Sequence, residues 1–347
     1  TLLGLTRDGG SESALATLTG AVMGLEAMAR RRPAGSLSTG TVERLRALTT
    51  FGRGEVEMDS VSAARVRRVA LMALSAFGEV GADAIAGAMQ DPDADVRRLA
   101  VVAIASGSPG EGNIQLLIGA LSDSSARVRV EALIAYAARA PGSQECPVLF
   151  SASGDADLHV AIAALDLLAQ SCENLSRQNE LLTGVAAEIE GAGSLGWHRA
   201  VHALVALASV SPDLAAPLVN RFSQHPNAFV RAYAARAAAA VGDLDALASL
   251  AADSSPNVRT AAVQGLFELR GHEVDPVLVS QLDQDDPFLL LTVAGLLEGA
   301  ENPNAVVQPL LDALQRISLE RRQTARDPRM ALLERIVELG GSDRALE

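Results

Sequence analysis

The stretch Asp91–Gly107, DPDADVRRLAVVAIASG, constrains this chain most, because its pattern returns along the sequence. A polar residue opens a turn, a Val-Arg pair follows five residues later, and apolar side chains recur four, seven and eight residues past the Val. From Val96 those positions hold Ala100, Ala103 and Ile104; from Val66, Ala70, Ala73 and Leu74; from Val128, Ala132, Ala135 and Tyr136. From Val230 they hold Ala234, Ala237 and Ala238, and from Val258, Ala262, Gly265 and Leu266. Those offsets fall on one face of an α-helix, which must bury it against something.

Val66, Val96 and Val128 stand 30 and 32 residues apart, and Val230 and Val258 stand 28 apart. Periods of that size belong to stacked supersecondary units, each too small to have a core of its own. The 102 residues between Val128 and Val230 leave room for two degenerate units, and the expected anchors are Leu158-His159 and Trp197-His198. A last anchor is expected at Phe288-Leu289. Composition agrees with helix packed on helix: 49% of residues are hydrophobic, only 3% are aromatic, and Ala carries much of the apolar content.

The reading is an all-α fold, an α-solenoid in which antiparallel helix pairs wind into a right-handed superhelix. Residues 1–347 form one array, in which 1–58 are irregular N-terminal units with a long helix over 11–32 and a loop over 51–60. Regular repeats fill 59–143, degenerate ones 144–211, regular ones 212–300, and a C-terminal helical pair 301–347. Opening on TLLGL with no polar cap, the chain reads as a piece of something longer.

DPDADVRRLAVVAIA, DSSARVRVEALIAYA, HPNAFVRAYAARAAA and, directly after Asp253, SSPNVRTAAVQGLF resemble HEAT repeats, in particular bacterial HEAT-like units with a Dx4VRx2Ax2AL core. The resemblance covers about 59–300. It implies two antiparallel helices per unit, with the Val-Arg helix on the concave side of the superhelix. It also extends to long peptidyl-prolyl isomerases that carry such arrays ahead of a cyclophilin domain. The alternative reading is therefore a client-binding module whose isomerase domain lies outside these residues.

The remaining chemistry is mostly excluded. A net charge of −13 repels nucleic-acid phosphates, which also disfavours the HEAT-like DNA glycosylases; HEAT-like phycobilin lyases would need a chromophore partner. All 29 basic residues are Arg, so neither a Walker lysine nor a Schiff-base lysine is present. Cys146 and Cys172 lack a CxxC context and suit a reducing compartment or two indifferent buried thiols, not a disulfide framework, and neither reading fixes the compartment; the cytoplasm is favoured, with the periplasm open if a signal peptide has been removed. No apolar run is long enough to insert in a membrane. His198 and His202 share a helix face, but Arg199 between them is unhelpful beside a metal, so no metal is expected. No catalytic residue and no cofactor is expected either.

Two sets of residues remain. Asp91 with Arg97, Asp123 with Arg129 and Asp253 with Arg259 are expected to form a structural ladder. In it the carboxylate caps the second helix and the Arg pairs with the Asp of an adjacent unit. Arg68, Arg98, Glu131, Arg199, Tyr233, Arg236 and Gln264 fall two, three or six residues past an anchor and are expected to line a groove for a protein or peptide.

Overall fold

A computed structural model describes residues 16–17, 19–24, 27, 37–53, 60–107, 111–139, 145–191, 196–320 and 327–340. Much of the helix expected over 11–32 and most of the loop expected over 51–60 lie outside these residues. Every regular element among them is helical. In chain order the α-helices are α1 (Thr39–Leu48), α2 (Ser60–Ala76), α3 (Ala82–Met89), α4 (Ala94–Ser106), α5 (Glu111–Ala120), α6 (Ala126–Ala137), α7 (Glu145–Ala152), α8 (Leu158–Leu167) and α9 (Leu175–Ala187). They continue as α10 (Trp197–Val210), α11 (Pro212–Ser223), α12 (Ala228–Val241), α13 (Leu244–Leu250), α14 (Pro256–Arg270), α15 (Asp275–Gln281), α16 (Pro287–Leu296), α17 (Pro303–Glu320) and α18 (Arg329–Glu338). The fold is an all-α solenoid, and it divides into two compact units, Thr1–Leu167 and Leu168–Glu347.

Within each unit the Val-Arg helices pack side by side and each also packs on its own partner helix. In the first unit α4 contacts α2, α3 and α6; in the second α12 contacts α10, α11 and α14. The buried stripe explains why. Each of these helices buries not three positions past its anchor but four: Val96 with Ala100, Val101, Ala103 and Ile104, and Val230 with Ala234, Ala235, Ala237 and Ala238. The fifth-position residue, absent from the sequence pattern, widens the stripe enough to touch two neighbours at once. A cluster of Ile85, Val101, Ile104, Leu117, Val128 and Tyr136 draws on two successive repeats, so no helix pair encloses a core by itself. Each fully buried Val, Leu or Ile contributes about 1.5–3 kcal/mol, and that stabilisation requires the next repeat.

The structure moves three anchors. In α8 the buried stripe is Val160, Ala161, Ala164 and Leu165, so the anchor is Val160-Ala161 and not Leu158-His159. In α16 it is Leu289, Leu290, Val293 and Ala294, while Phe288 is 43% exposed, which makes the anchor Leu289-Leu290. In α10 Ala203, Leu204, Ala206 and Leu207 repeat the stripe of α12, placing Arg199-Ala200 at the anchor in place of Trp197-His198. In all three the place of the repeat Arg is taken by an apolar residue that is fully buried.

One further expectation is corrected. Neither cysteine is a free thiol: Cys146 and Cys172 are both disulfide-bonded. Gly78 follows α2 with φ +71°, Gly107 ends α4 in an extended conformation, and Gly81 precedes α3.

Candidate functional site

The ladder residues come first, because they fix how the repeats register. The Arg after each anchor reaches forward to the turn Asp of the next repeat. Arg67 grips Asp91 through Nε and Nη2 at 2.8 and 2.9 Å, Arg97 grips Asp123 at 2.7 and 2.8 Å, and Arg129 grips Asp155 at 2.9 and 2.8 Å. In the second unit Arg231 grips Asp253 at 2.7 and 2.9 Å. The third nitrogen of Arg97, Arg129 and Arg231 turns back to the carbonyl six residues earlier, as Arg97 Nη1 does to Asp91 O at 2.8 Å, whereas Arg67 Nη1 donates to Phe51 O at 2.9 Å. Each guanidinium thus ties its own turn to the next one.

The turn Asp does not cap the helix that follows, as the sequence suggests. Its Oδ1 accepts the N–H two residues on: Asp93 N to Asp91 at 2.9 Å, Ser125 N to Asp123 at 2.8 Å, Ser255 N to Asp253 at 2.8 Å. The cap belongs to the residue two further along, where Asp93 Oδ1 accepts Val96 N at 3.0 Å. One carboxylate shapes the turn and another starts the helix. Arg259 breaks the run. Its Nη1 donates to Asp253 O at 2.7 Å, but Nε is buried with no hydrogen-bond partner. In the next repeat Gln284 holds the place of the Asp, five residues before Leu289.

The groove residues separate into two chemistries. In the first unit they pair with one another. Arg68 Nη1 reaches Asp95 at 2.9 Å, and Arg98 lies 3.8 Å from Asp95 and 3.5 Å from Glu131. Arg98 and Glu131, with Asp95, Arg127, Asp157 and His159, line an open groove of about 820 Å³ over the starts of α4, α6 and α8. Ile134 is 49% exposed on the same helix as Glu131.

In the second unit the groove residues join an aromatic cluster. The Tyr233 hydroxyl lies 3.0 Å from His202 Nε2, and the Arg236 guanidinium lies over the Tyr233 ring at 4.7 Å. Trp197 stacks on His198 at 3.7 Å and on Phe229 at 6.0 Å. Phe229 is 57% exposed. Burial, and secondarily the nearby His202, hold the His198 imidazole below its usual pKa. Arg199 is half-buried at the start of α10, and Gln264 is exposed on α14 at the place that Arg236 holds on α12.

Phe229 and Asp95 are the residues the sequence reading missed. Both directly precede an anchor, a position outside the apolar stripe that faces solvent and can carry a contact residue; Phe288 occupies it too. Among the described residues no group of three His, Cys, Asp or Glu is placed to hold a metal ion, and no helix is long and apolar enough to cross a membrane.

Helix pairs that bury apolar residues against the next pair, registered by an Arg-Asp ladder, define a repeat solenoid. Residues 215–298 match the family model for HEAT repeats. Among solved structures, yeast importin-β (Kap95p) is similar at 16% identity and a TM-score of 0.55, with 94% of this chain and 54% of that one covered. The Kap95:Nup1 complex is similar at 15% identity, a TM-score of 0.55 and the same coverage. This chain therefore spans about half the length of those two relatives. The CpcE–CpcF phycocyanin lyase complex of Nostoc sp. PCC7120 is similar at 18% identity and a TM-score of 0.42, covering 75% of this chain and 95% of that one. None of the curated proteins compared matches the sequence.

Proposed function

We propose that this protein is a non-enzymatic scaffold that holds a protein or peptide against the exposed face of its Val-Arg helices, the face expected to be concave in HEAT arrays. The observation that carries this reading is the cluster of Trp197, Phe229 and Tyr233. A chain with only 3% aromatic residues brings three of them together on the neighbouring helices α10 and α12, and Phe229 is more than half exposed. Large amphipathic rings at a surface are characteristic of binding hot spots. Support of a more general kind comes from Kap95, a solenoid of similar fold that is solved in complex with Nup1. In this reading Arg68, Arg98 and Glu131 supply a polar contact surface in the first unit, and Arg199, Tyr233, Arg236 and Gln264 contact residues in the second, where Arg236 lies over the Tyr233 ring.

A displayed random-peptide library selected on the whole protein tests the proposal. Selected peptides should bind the wild type and lose at least about tenfold in affinity to Phe229→Ser, the loss typical of a hot-spot residue. They should keep their affinity for Leu214→Ser, which removes a 48% exposed apolar residue from α11 in the other helix layer. Recovery of no peptides, or of peptides equally sensitive to both substitutions, overturns the proposal.

A further inference from the structure

We infer that the face formed by α10 and α12 takes an acidic segment carrying an aromatic or aliphatic side chain; this rests on the scaffold reading above and names its partner's chemistry. Two independent features of those helices point to it.

The first is local charge. The protein as a whole has 42 acidic and 29 basic residues, yet α10 and α12 together carry Arg199, Arg231, Arg236, His198 and His202 and no carboxylate at all. Asp253 neutralises Arg231 through two bonds. Arg236 is exposed, and its guanidinium is held over the Tyr233 ring. Stacking on the ring leaves the edge of the guanidinium plane, where its N–H donors lie, directed away from the ring, the arrangement in which an Arg grips a carboxylate. Of the packed neighbours, α9 and the single 3-10 turn after it carry Glu180 and Glu188, both exposed. α14 presents Asn257 and Gln264 at the places where α12 presents Phe229 and Arg236, and Asp213 stands at the start of α11, by the opposite end of α10 from Trp197. Remote acidic residues are screened beyond roughly 8 Å at physiological salt, so nearby groups decide what binds.

The second is apolar surface in the same place. Phe229 stands beside Trp197 in a parallel stack, and Tyr233 lies one turn further along the same helix. An exposed ring next to an exposed guanidinium suits a segment that presents a carboxylate close to an apolar side chain. The complementarity ends at α16, where Asp283, Asp285 and Asp286 come just before the exposed Phe288 in the chain. The acidic part of the partner therefore lies over α10 and α12.

Trp197 is the only tryptophan of the chain, so its emission reports this face alone. The probes are three synthetic, tryptophan-free twelve-residue peptides with the same two Phe residues and with Glu, Gln or Lys at every other polar position. Titrated into the whole protein, the Glu peptide should change Trp197 emission saturably and bind about tenfold or more tighter than the Lys peptide. Arg236→Glu should weaken the Glu peptide by about tenfold and Arg236→Gln by less. Arg65→Glu, the same charge change on the exposed side of α2 in the other unit, should leave it unchanged. Equal or tighter binding of the Gln or Lys peptide overturns the inference, as does a Glu peptide indifferent to Arg236→Glu in a variant whose circular dichroism and melting match the wild type. If library-selected peptides bind while the Glu peptide does not, the acidic assignment fails and the scaffold reading stands. If the library also yields nothing, both fail.

Discussion

Arg97 and Asp123 lie 26 residues apart in sequence and meet through two nearly parallel bonds of 2.7 and 2.8 Å. Their side chains are only 14% and 12% exposed, which separates this pair from an ordinary surface ion pair. Removing one partner leaves a largely buried charge without its counterpart, so Arg97→Ala or Asp123→Ala should cost about 2–3 kcal/mol in urea unfolding. Arg97→Met with Asp123→Leu removes both charges and should cost less than either single change. A double variant as unstable as the sum of the singles would show that the pair is not coupled.

The same bonds set an acid limit. Hydrogen bonding to Arg97, Arg129 and Arg231 holds the carboxyls of Asp123, Asp155 and Asp253 below their usual range, with burial opposing in part. A depressed carboxyl pKa means that the folded state binds fewer protons than the unfolded one. The stabilisation is therefore fully present above the unfolded value of about 3.9 and lost as pH falls through the folded values. Urea midpoints should hold level from neutral pH down to about 5 and drop steeply below about 4. Asp123→Asn, less stable at neutral pH, should show a shallower drop. An equally steep drop in Asp123→Asn would remove the ladder from the explanation.

Gln178 is fully buried at the start of α9 and makes three hydrogen bonds to the turn before it. Its Nε2 donates to Leu168 O at 2.7 Å and to Gln170 O at 2.8 Å, and its Oε1 accepts Cys172 N at 2.9 Å. Gln178→Leu keeps the volume but strands two carbonyls and an N–H, and should cost about 3 kcal/mol or more. Gln178→Glu replaces the donating nitrogen with an acceptor facing two carbonyls and should be at least as damaging. Thermal melting of both variants tests this, and a loss under about 1 kcal/mol would mean that water reaches the turn.

The solenoid was legible because its determinants are local: one turn residue, one anchor and a stripe at helical spacing, five times over. The three anchors were misplaced for a physical reason. A search keyed on Val-Arg follows the Arg, but the packing follows the buried stripe, and where Arg gives way to Ala161, Leu290 or Ala200 only the apolar phase remains. Asp155, five residues before Val160, was the surviving signal. The aromatic face was less legible still. Trp197 and Phe229, and likewise His202 and Tyr233, come together only when successive repeats stack, and no window of sequence short enough to be one repeat contains both members.

Gly265 departs from the repeat at a position where Ala73, Ala103, Ala135 and Ala237 stand in other units. A Cβ there would meet the Ala239 Cβ at 2.8 Å and a Leu247 methyl at 3.0 Å, so α12 and α13 approach α14 too closely for a side chain. In an isolated helix Gly265→Ala gains about 1 kcal/mol of propensity. In a packed core overfilling costs about 1–3 kcal/mol, and the collision with the Ala239 Cβ lies at a contact that one flexible side chain cannot relieve. The net effect should be a loss of stability, read as a lower melting temperature. Adding Ala239→Gly to Gly265→Ala opens the space again and should recover part of the loss, whereas Ala239→Gly alone should destabilise through its helix cost. A Gly265→Ala protein more stable than the wild type would mean that this repeat can slide apart to make room, and that the close approach of α12 to α14 is not required for the stack.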